Sequence, residues 1–258
     1  MGMNGQVALV VGGTGDIGTA ICRGLAAAGA KVIVSGLTEA RAAEASAALD
    51  DLDPAPETAV LDVTDGDSCK AAVAAIVDKH ERLDCLVNTA GVSYIAPILL
   101  GNVDEWRRVL EVNTLGAFTI SQAVLRPMIR ARYGRIVHIG SISAEVGAPY
   151  NAIYAASKAG VAGLVRSLSL EVAASGVTVN AVQPGYVKTK LFAETQGARA
   201  RIKGISIEEQ EDDLVLDTPT RRLVTPEDVA SIVTYLAAEE SRSITGQTIN
   251  VDGGRTAN

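Results

Sequence analysis

The chain has 258 residues, 48% of them hydrophobic, with 23 Lys and Arg against 30 Asp and Glu for a formal net charge of −7. That apolar content excludes a mostly disordered chain and suits one large core. An acidic balance, with a pI near 5.0, leaves no basic surplus to displace counterions from nucleic-acid phosphates. No run approaches the ~18–20 apolar residues of a membrane span, so no membrane partner is expected. Val7–Val11 reads as a buried strand, Ile17–Ala28 as a helix ending at Gly29, and Lys31–Ser35 as a second strand. An Ala-rich helix over Glu39–Leu49, the strand Thr58–Leu61, the helix Ser68–His80 and the strand Leu83–Val87 follow. Asp104 to Arg132 reads as one long helix carrying Pro127, which is expected to kink or shorten it. Strand Arg135–Gly140, helix Ile153–Ala174, strand Val177–Val182, helix Pro226–Ala238 and strand Thr248–Val251 complete the series.

Strands that are apolar throughout imply burial on both faces, and the βα alternation then implies a doubly wound parallel α/β sheet with helices on both sides. No composition break divides it, so a single domain spanning 1–258 is expected. Lys190 to Leu223 interrupts the alternation with a basic stretch (Arg199, Arg201, Lys203), an acidic one (Glu208 to Asp213) and a basic one again. Its place at the carboxyl end of a strand makes it a candidate substrate lid. Met1–Gln6 has neither the basic nor the apolar region of a signal peptide. Cys22, Cys69 and Cys85 form no CxxC pair and read as buried thiols of a reducing cytoplasm. His80 and His138 lack ligand-like spacing, so no metal is expected.

The first strand runs straight into Gly12-Gly13-Thr14-Gly15-Asp16-Ile17-Gly18 and then a helix. Glycines there let the backbone approach a diphosphate at the helix N-terminus. Asp16 would be unfavourable beside that diphosphate; the reading preferred is that it caps the helix or holds a sugar hydroxyl, pointing away from the phosphates. Further on, Tyr154 and Lys158 stand at i and i+4 of one helix, and Ser141 follows the strand His138-Ile139-Gly140. A phenol of ordinary pKa ~10 is a poor base at neutral pH, and an adjacent ammonium favours its ionised form.

The glycine turn resembles the Thr-Gly-x-x-x-Gly-x-Gly motif of the classical short-chain dehydrogenase/reductase family. Gly12 and Gly18 match; Val11 stands for the Thr and Asp16 for the middle Gly. Asp62-Val63 resembles the family's adenine contact, and Asn88-Thr89-Ala90-Gly91 its Asn-Asn-Ala-Gly motif. Pro184-Gly185, with Val187 and Thr189, resembles the segment at the nicotinamide end. The resemblance runs from Gln6 to Gly254 and implies a Rossmann-like fold and an NAD(P)-dependent alcohol dehydrogenase or ketone reductase. It implies that Tyr154 is the general acid/base and that Ser141 holds the substrate oxygen. Lys158 would lower the tyrosine pKa and bind the nicotinamide ribose, and Asn113 would position a water linking Lys158 to solvent. Thr14 and Ile17 join the cofactor set with the turn.

Gly36 and Leu37, after the second strand, are neither acid nor base, and Arg41 lies one turn further on. The absence of a clear basic site leans the expectation to NAD over NADP. Substrate contacts are expected from Ser93, Tyr94, Ser143, Glu145, Asn151, Gln183 and Tyr186, and from residues 190–222. The lid and Pro219–Glu227 resemble the bacterial 3-hydroxybutyrate dehydrogenase branch, which grips its carboxylate with Gln, His and Lys. Ser93, Ser143 and Asn151 stand at those positions, so the cation is missing and a neutral polyol, cyclic alcohol or β-ketoacyl substrate is as acceptable as a hydroxy acid. The resemblance further implies a homotetramer built on the helices near 104–130 and 153–174. The alternative is a non-catalytic dinucleotide-binding or regulatory protein on the same fold.

Overall fold

The structure, a computed structural model, describes residues 2–257. Strand β1 (Val7–Val11) is buried along its whole length because both its faces are covered. Ala8 and Val10 enter one core with α1 (Asp16–Ala27) and α9 (Pro226–Ala237), through Ile21, Leu25, Val229 and Val233. Val7, Leu9 and Val11 enter the other with α3 (Gly66–His80), α5 (Gly116–Ala131) and α6 (Ala152–Val172), through Val73, Ile120, Val124 and Val165. The period of two along the strand thus divides one apolar run between two cores.

The remaining strands are β2 (Lys31–Gly36), β3 (Glu57–Val60), β4 (Cys85–Asn88), β5 (Gly134–Ile139), β6 (Val177–Pro184) and β7 (Thr248–Val251). They form one seven-stranded sheet in the order β3-β2-β1-β4-β5-β6-β7, and every pairing is parallel. Strand order reverses between β1 and β4. The crevice at their carboxyl ends is where this architecture accepts ligands. Helix α2 (Glu39–Ala47) follows β2, with the Thr38 side chain capping it.

The expected single helix over 104–132 is interrupted, though not at its proline. Helix α4 (Val103–Leu110) passes through a π turn at Glu111–Leu115 into α5, and Pro127 lies inside α5. One lost backbone hydrogen bond at Pro127 is tolerated beside the buried Val124 and Met128. The π turn has tertiary causes. The Asn113 side chain is tied to the backbone of Val92, and the Thr114 hydroxyl donates to the Ser157 carbonyl at 3.0 Å.

The insertion at 190–223 consists of α7 (Lys190–Lys203) and α8 (Ile207–Asp217). Its two ends are held together: Val187 pairs with Val224 in an isolated parallel bridge, and the Val224 amide donates to the Tyr186 carbonyl at 2.9 Å. Among the described residues no helix is long and apolar enough to cross a membrane.

Candidate active site

The turn after β1 is built for a close backbone approach. Gly12 has φ +78°, and a Cβ there would lie 2.7 Å from the Thr89 hydroxyl and 2.9 Å from the Ala90 amide. At Gly18 a Cβ would fall 2.6 Å from the Gly12 carbonyl, so only glycine lets α1 pack on the turn. Gly15 is the N-cap of α1 and no side chain caps it, which leaves the first amides of α1 open to a ligand. Two departures from the family motif meet here. The Thr89 hydroxyl lies 2.8 Å from the carbonyl of Val11 and 2.9 Å from that of Gly12, donating to one of them and tying β4 to the turn. These features fit a dinucleotide diphosphate.

Asp16 caps a helix, but not its own. It is the first residue of α1, and its carboxylate accepts the backbone amide of Lys190, the first residue of α7, at 2.8 Å. Thr14 and Asp16 line a depression that also contains Lys188 and Lys190. The Asp62 carboxylate accepts the amide and hydroxyl of Thr64 at 2.9 and 2.7 Å. The Val63 side chain is buried in the α3/α5 core, which leaves its backbone for a cofactor. Asn88 is buried and accepts the Ala90 amide at 3.2 Å, next to Gly91. At the end of β2, Gly36 lies against the backbone of Ala42, Leu37 is exposed, and Arg41 pairs with Glu44 at 3.1 Å. The lean toward NAD gains nothing from this geometry.

A cavity of about 170 Å³ opens beside the crevice, lined by Ser141, Tyr154 and Lys158. Ile17, Gly91, Pro184, Gly185, Val187 and Thr189 line the same cavity, as does Tyr186. So do Ser93, Ser143 and Asn151. The Ser141 hydroxyl accepts the Ser143 amide at 3.1 Å, and Asn151 donates to the Ser143 hydroxyl at 3.2 Å. Three expected substrate residues lie elsewhere. The Tyr94 hydroxyl is turned away to accept the Asn102 amide at 3.2 Å, and Glu145 accepts from Asn250 at 2.9 Å. Gln183 is buried in β6 and takes no part in the cavity wall.

Lys158 is buried and donates to the Ile139 carbonyl at 2.8 Å, which fixes its ammonium 5.6 Å from the Tyr154 ring centroid. Burial pulls its pKa down to about 8. Burial also holds the Tyr154 phenol above its ordinary value; the Ser141 hydroxyl and then the Arg199 guanidinium act in the opposite direction. The Arg199 guanidinium thus bears on the phenol, and the Lys158 ammonium lies 5.6 Å from its ring centroid. Asn113, inside the π turn, accepts the Val92 amide at 2.8 Å and donates to the Val92 carbonyl and the Ser157 hydroxyl, both at 2.9 Å. A Cβ on Gly91 would lie 3.4 Å from both the Asn113 oxygen and the Lys158 ammonium nitrogen, so the two groups share one small space.

Helix α7 adds Leu191, Phe192, Thr195, Gln196 and Arg199 to the wall. All five fall within the range 190–222 expected to contribute substrate contacts. The signal was the spacing 192, 195, 196, 199, which is one helix face, hidden inside what reads as a solvated charge run.

A dinucleotide crevice at the strand-order switch, with a Ser–Tyr–Lys set at its mouth, defines an oxidoreductase that moves a hydride between NAD(P) and an alcohol or ketone. The chain belongs to the short-chain dehydrogenase/reductase family: a family model described as enoyl-(acyl carrier protein) reductase matches residues 12–256. It is 38% identical over 254 residues to 3-oxoacyl-[acyl-carrier-protein] reductase FabG of Vibrio cholerae, covering 98% of each chain. It is 35% identical over 257 residues to D-beta-hydroxybutyrate dehydrogenase of Rhizobium meliloti, covering 98% of this chain and 99% of that one. Among solved structures, a variant of actinorhodin polyketide ketoreductase with NADPH superposes with a TM-score of 0.92 at 35% identity, covering 98% of each chain. A gluconate 5-dehydrogenase from Burkholderia cenocepacia, in complex with NADP and tartrate, gives 0.90 at 32% identity, covering 100% of this chain and 97% of that one. The non-catalytic alternative has no support.

Proposed function

We propose that the chain is an NADP(H)-dependent ketone reductase in which Tyr154 moves the proton. The observation that carries this reading is that Ser141, Tyr154 and Lys158 converge on one cavity at the strand-order switch. When bound, the nicotinamide supplies or accepts the hydride. Ser141 would hold the substrate oxygen, and the Tyr154 hydroxyl would give it a proton during reduction and take one during oxidation. Lys158, held by the Ile139 carbonyl, would orient the ribose, and Asn113 would position a water linking it to solvent. The Gly12–Gly18 turn, with Asn88 to Gly91 and Pro184 to Thr189, would hold the dinucleotide, and Asp62 the adenine end.

Two observations support NADP over NAD. The end of β2 carries Gly36 and Leu37, with no carboxylate to accept a ribose 2′-hydroxyl, and Arg41 is exposed one turn along. The similar ketoreductase and gluconate 5-dehydrogenase are described with NADPH and NADP. Residues 190–223 would act as the substrate lid, hinged at the Val187–Val224 bridge. A homotetramer is proposed on α4, α5 and α6, supported by the exposed Leu115, Phe118 and Leu170. Its location would be the cytoplasm, in keeping with three buried free thiols.

The test is Tyr154→Phe combined with separate NADH and NADPH titrations. Expected are tighter binding of NADPH, unchanged cofactor affinity in the variant, and a loss of turnover of about 10²-fold or more. Turnover near that of the parent would refute the assignment of Tyr154, and tighter NADH binding would refute the cofactor choice.

A further inference from the structure

We propose that Arg199 is the anchor for a substrate carboxylate, so that the natural substrate is a small oxo acid or its hydroxy acid rather than a neutral ketone. This rests on the ketone-reductase reading and names the substrate class of the same site. Arg199 stands on the inward face of α7 with Thr195 and Gln196, and all three line the cavity that holds Ser141 and Tyr154. Its Nε is buried and has no hydrogen-bond partner. The other cations of this region are either paired, as Lys188 with Glu211 at 3.5 Å, Lys203 with Asp213 at 3.9 Å and Arg222 with Asp228 at 2.7 Å, or exposed to solvent, as Lys190, Arg201 and Arg221. Among the described residues Arg199 pairs with no carboxylate, and no Asp or Glu lines the cavity.

Arg199 is half-buried with its Nε out of reach of water; partial desolvation without a counter-ion is costly, and the planar fork of donors matches a carboxylate. The phenols of Tyr154 and Tyr186 share the cavity wall with it. Burial accordingly pulls its pKa below the ordinary arginine value. An acid whose carbonyl oxygen meets Ser141 and Tyr154 would bring its carboxylate within the same cavity of about 170 Å³, the size of a small molecule. The cation missing from Ser93, Ser143 and Asn151 is thereby supplied from α7.

The test compares acetoacetate with methyl acetoacetate, which differ in the charge, in parent, Arg199→Met and Arg199→Lys proteins with saturating NADPH. Calorimetric titrations of butyrate and butyramide into the same proteins read binding without turnover. The parent should prefer the acid over the ester in kcat/KM. That ratio should fall about 100-fold in Arg199→Met and less in Arg199→Lys. Butyrate binding should weaken in parallel while butyramide binding does not. An acid-to-ester ratio unchanged by Arg199→Met, or butyrate binding no tighter than butyramide binding in the parent, would overturn the anchor. Butyrate binding that depends on Arg199, with neither ketone reduced, would leave the anchor standing and refute the ketone-reductase reading instead.

Discussion

Replacing Asp16 with alanine removes the acceptor that holds the first amide of α7. Lys190 N–H is one of the amides that a helix start leaves without an intrahelical acceptor, and the Thr189 hydroxyl is already used by Phe192. A hydrogen bond to a charged group contributes ~1.5–3 kcal/mol. Partial exposure reduces this one to about 1.4 kcal/mol, or roughly tenfold in the equilibrium for detaching α7. Trypsin reads that equilibrium directly, because Lys190, Arg201 and Lys203 are exposed on the insertion and cleavage of a rapidly reclosing segment tracks its open fraction. Asp16→Ala should be nicked there about ten times faster than the parent, and Asp16→Asn, which keeps an acceptor but loses the charge, about threefold faster. NADPH affinity should not weaken, since the lost charge is negative. Equal nicking rates in parent and Asp16→Ala would refute the tether. A large loss of NADPH affinity would show that Asp16 serves the cofactor directly.

Gly18→Ala forces a Cβ to within 2.6 Å of the Gly12 carbonyl and 2.7 Å of the Gly13 Cα. Backbone cannot yield there as a side-chain tip would, so a cost of ~1–3 kcal/mol and a rise of tenfold or more in the NADPH Kd are expected; an unchanged Kd would disprove the cradle. Thr89→Val keeps the shape but loses the donor to Val11 and Gly12, and should lower stability by about 1 kcal/mol in thermal or chemical unfolding, with Thr89→Ser restoring most of it. His138 is buried, beside the Ser121 hydroxyl at 3.0 Å and the Asn88 amide at 3.4 Å, and burial pulls its pKa from 6.5 down to about 4. The unfolded chain then binds more protons between these values, so stability is complete above pH 6.5 and falls by roughly 3 kcal/mol as pH drops to 4. Chemical unfolding at several pH values should show this acid limb flattened in His138→Asn; an identical slope would mean another group titrates.

The sheet was legible because its inner strands are nearly pure apolar runs, as strands covered on both faces must be. Tyr154, Lys158 and Ser141 were legible for a related reason: one turn of α6 and the end of β5 bring them together by local spacing. What escaped depends on partners distant in the chain. Nothing near Asp16 announces that it accepts an amide 174 residues away. The π turn lies in a segment whose pattern is helical throughout, and its causes are the backbone of Val92 and the carbonyl of Ser157. Tyr94 looked available until its hydroxyl met Asn102. Arg199 was hidden by its neighbours, because only the packing of α7 shows which charges of a basic stretch turn inward.

The widened turn at Glu111–Leu115 also sets the phase of everything after it. A π turn acts as an inserted residue, and each residue of an α-helix advances about 100° around the axis. A helical wheel drawn straight through residues 103–131 would therefore misplace the second half by about 100° relative to Val109, the buried residue of α4. Deleting a single residue from this turn is consequently a far larger change than any substitution within it. The deletion would free the Asn113 amide from Val92 and expose a strip of core along α5. Any chimera that exchanges this segment with a relative has to exchange the turn and Val92 together.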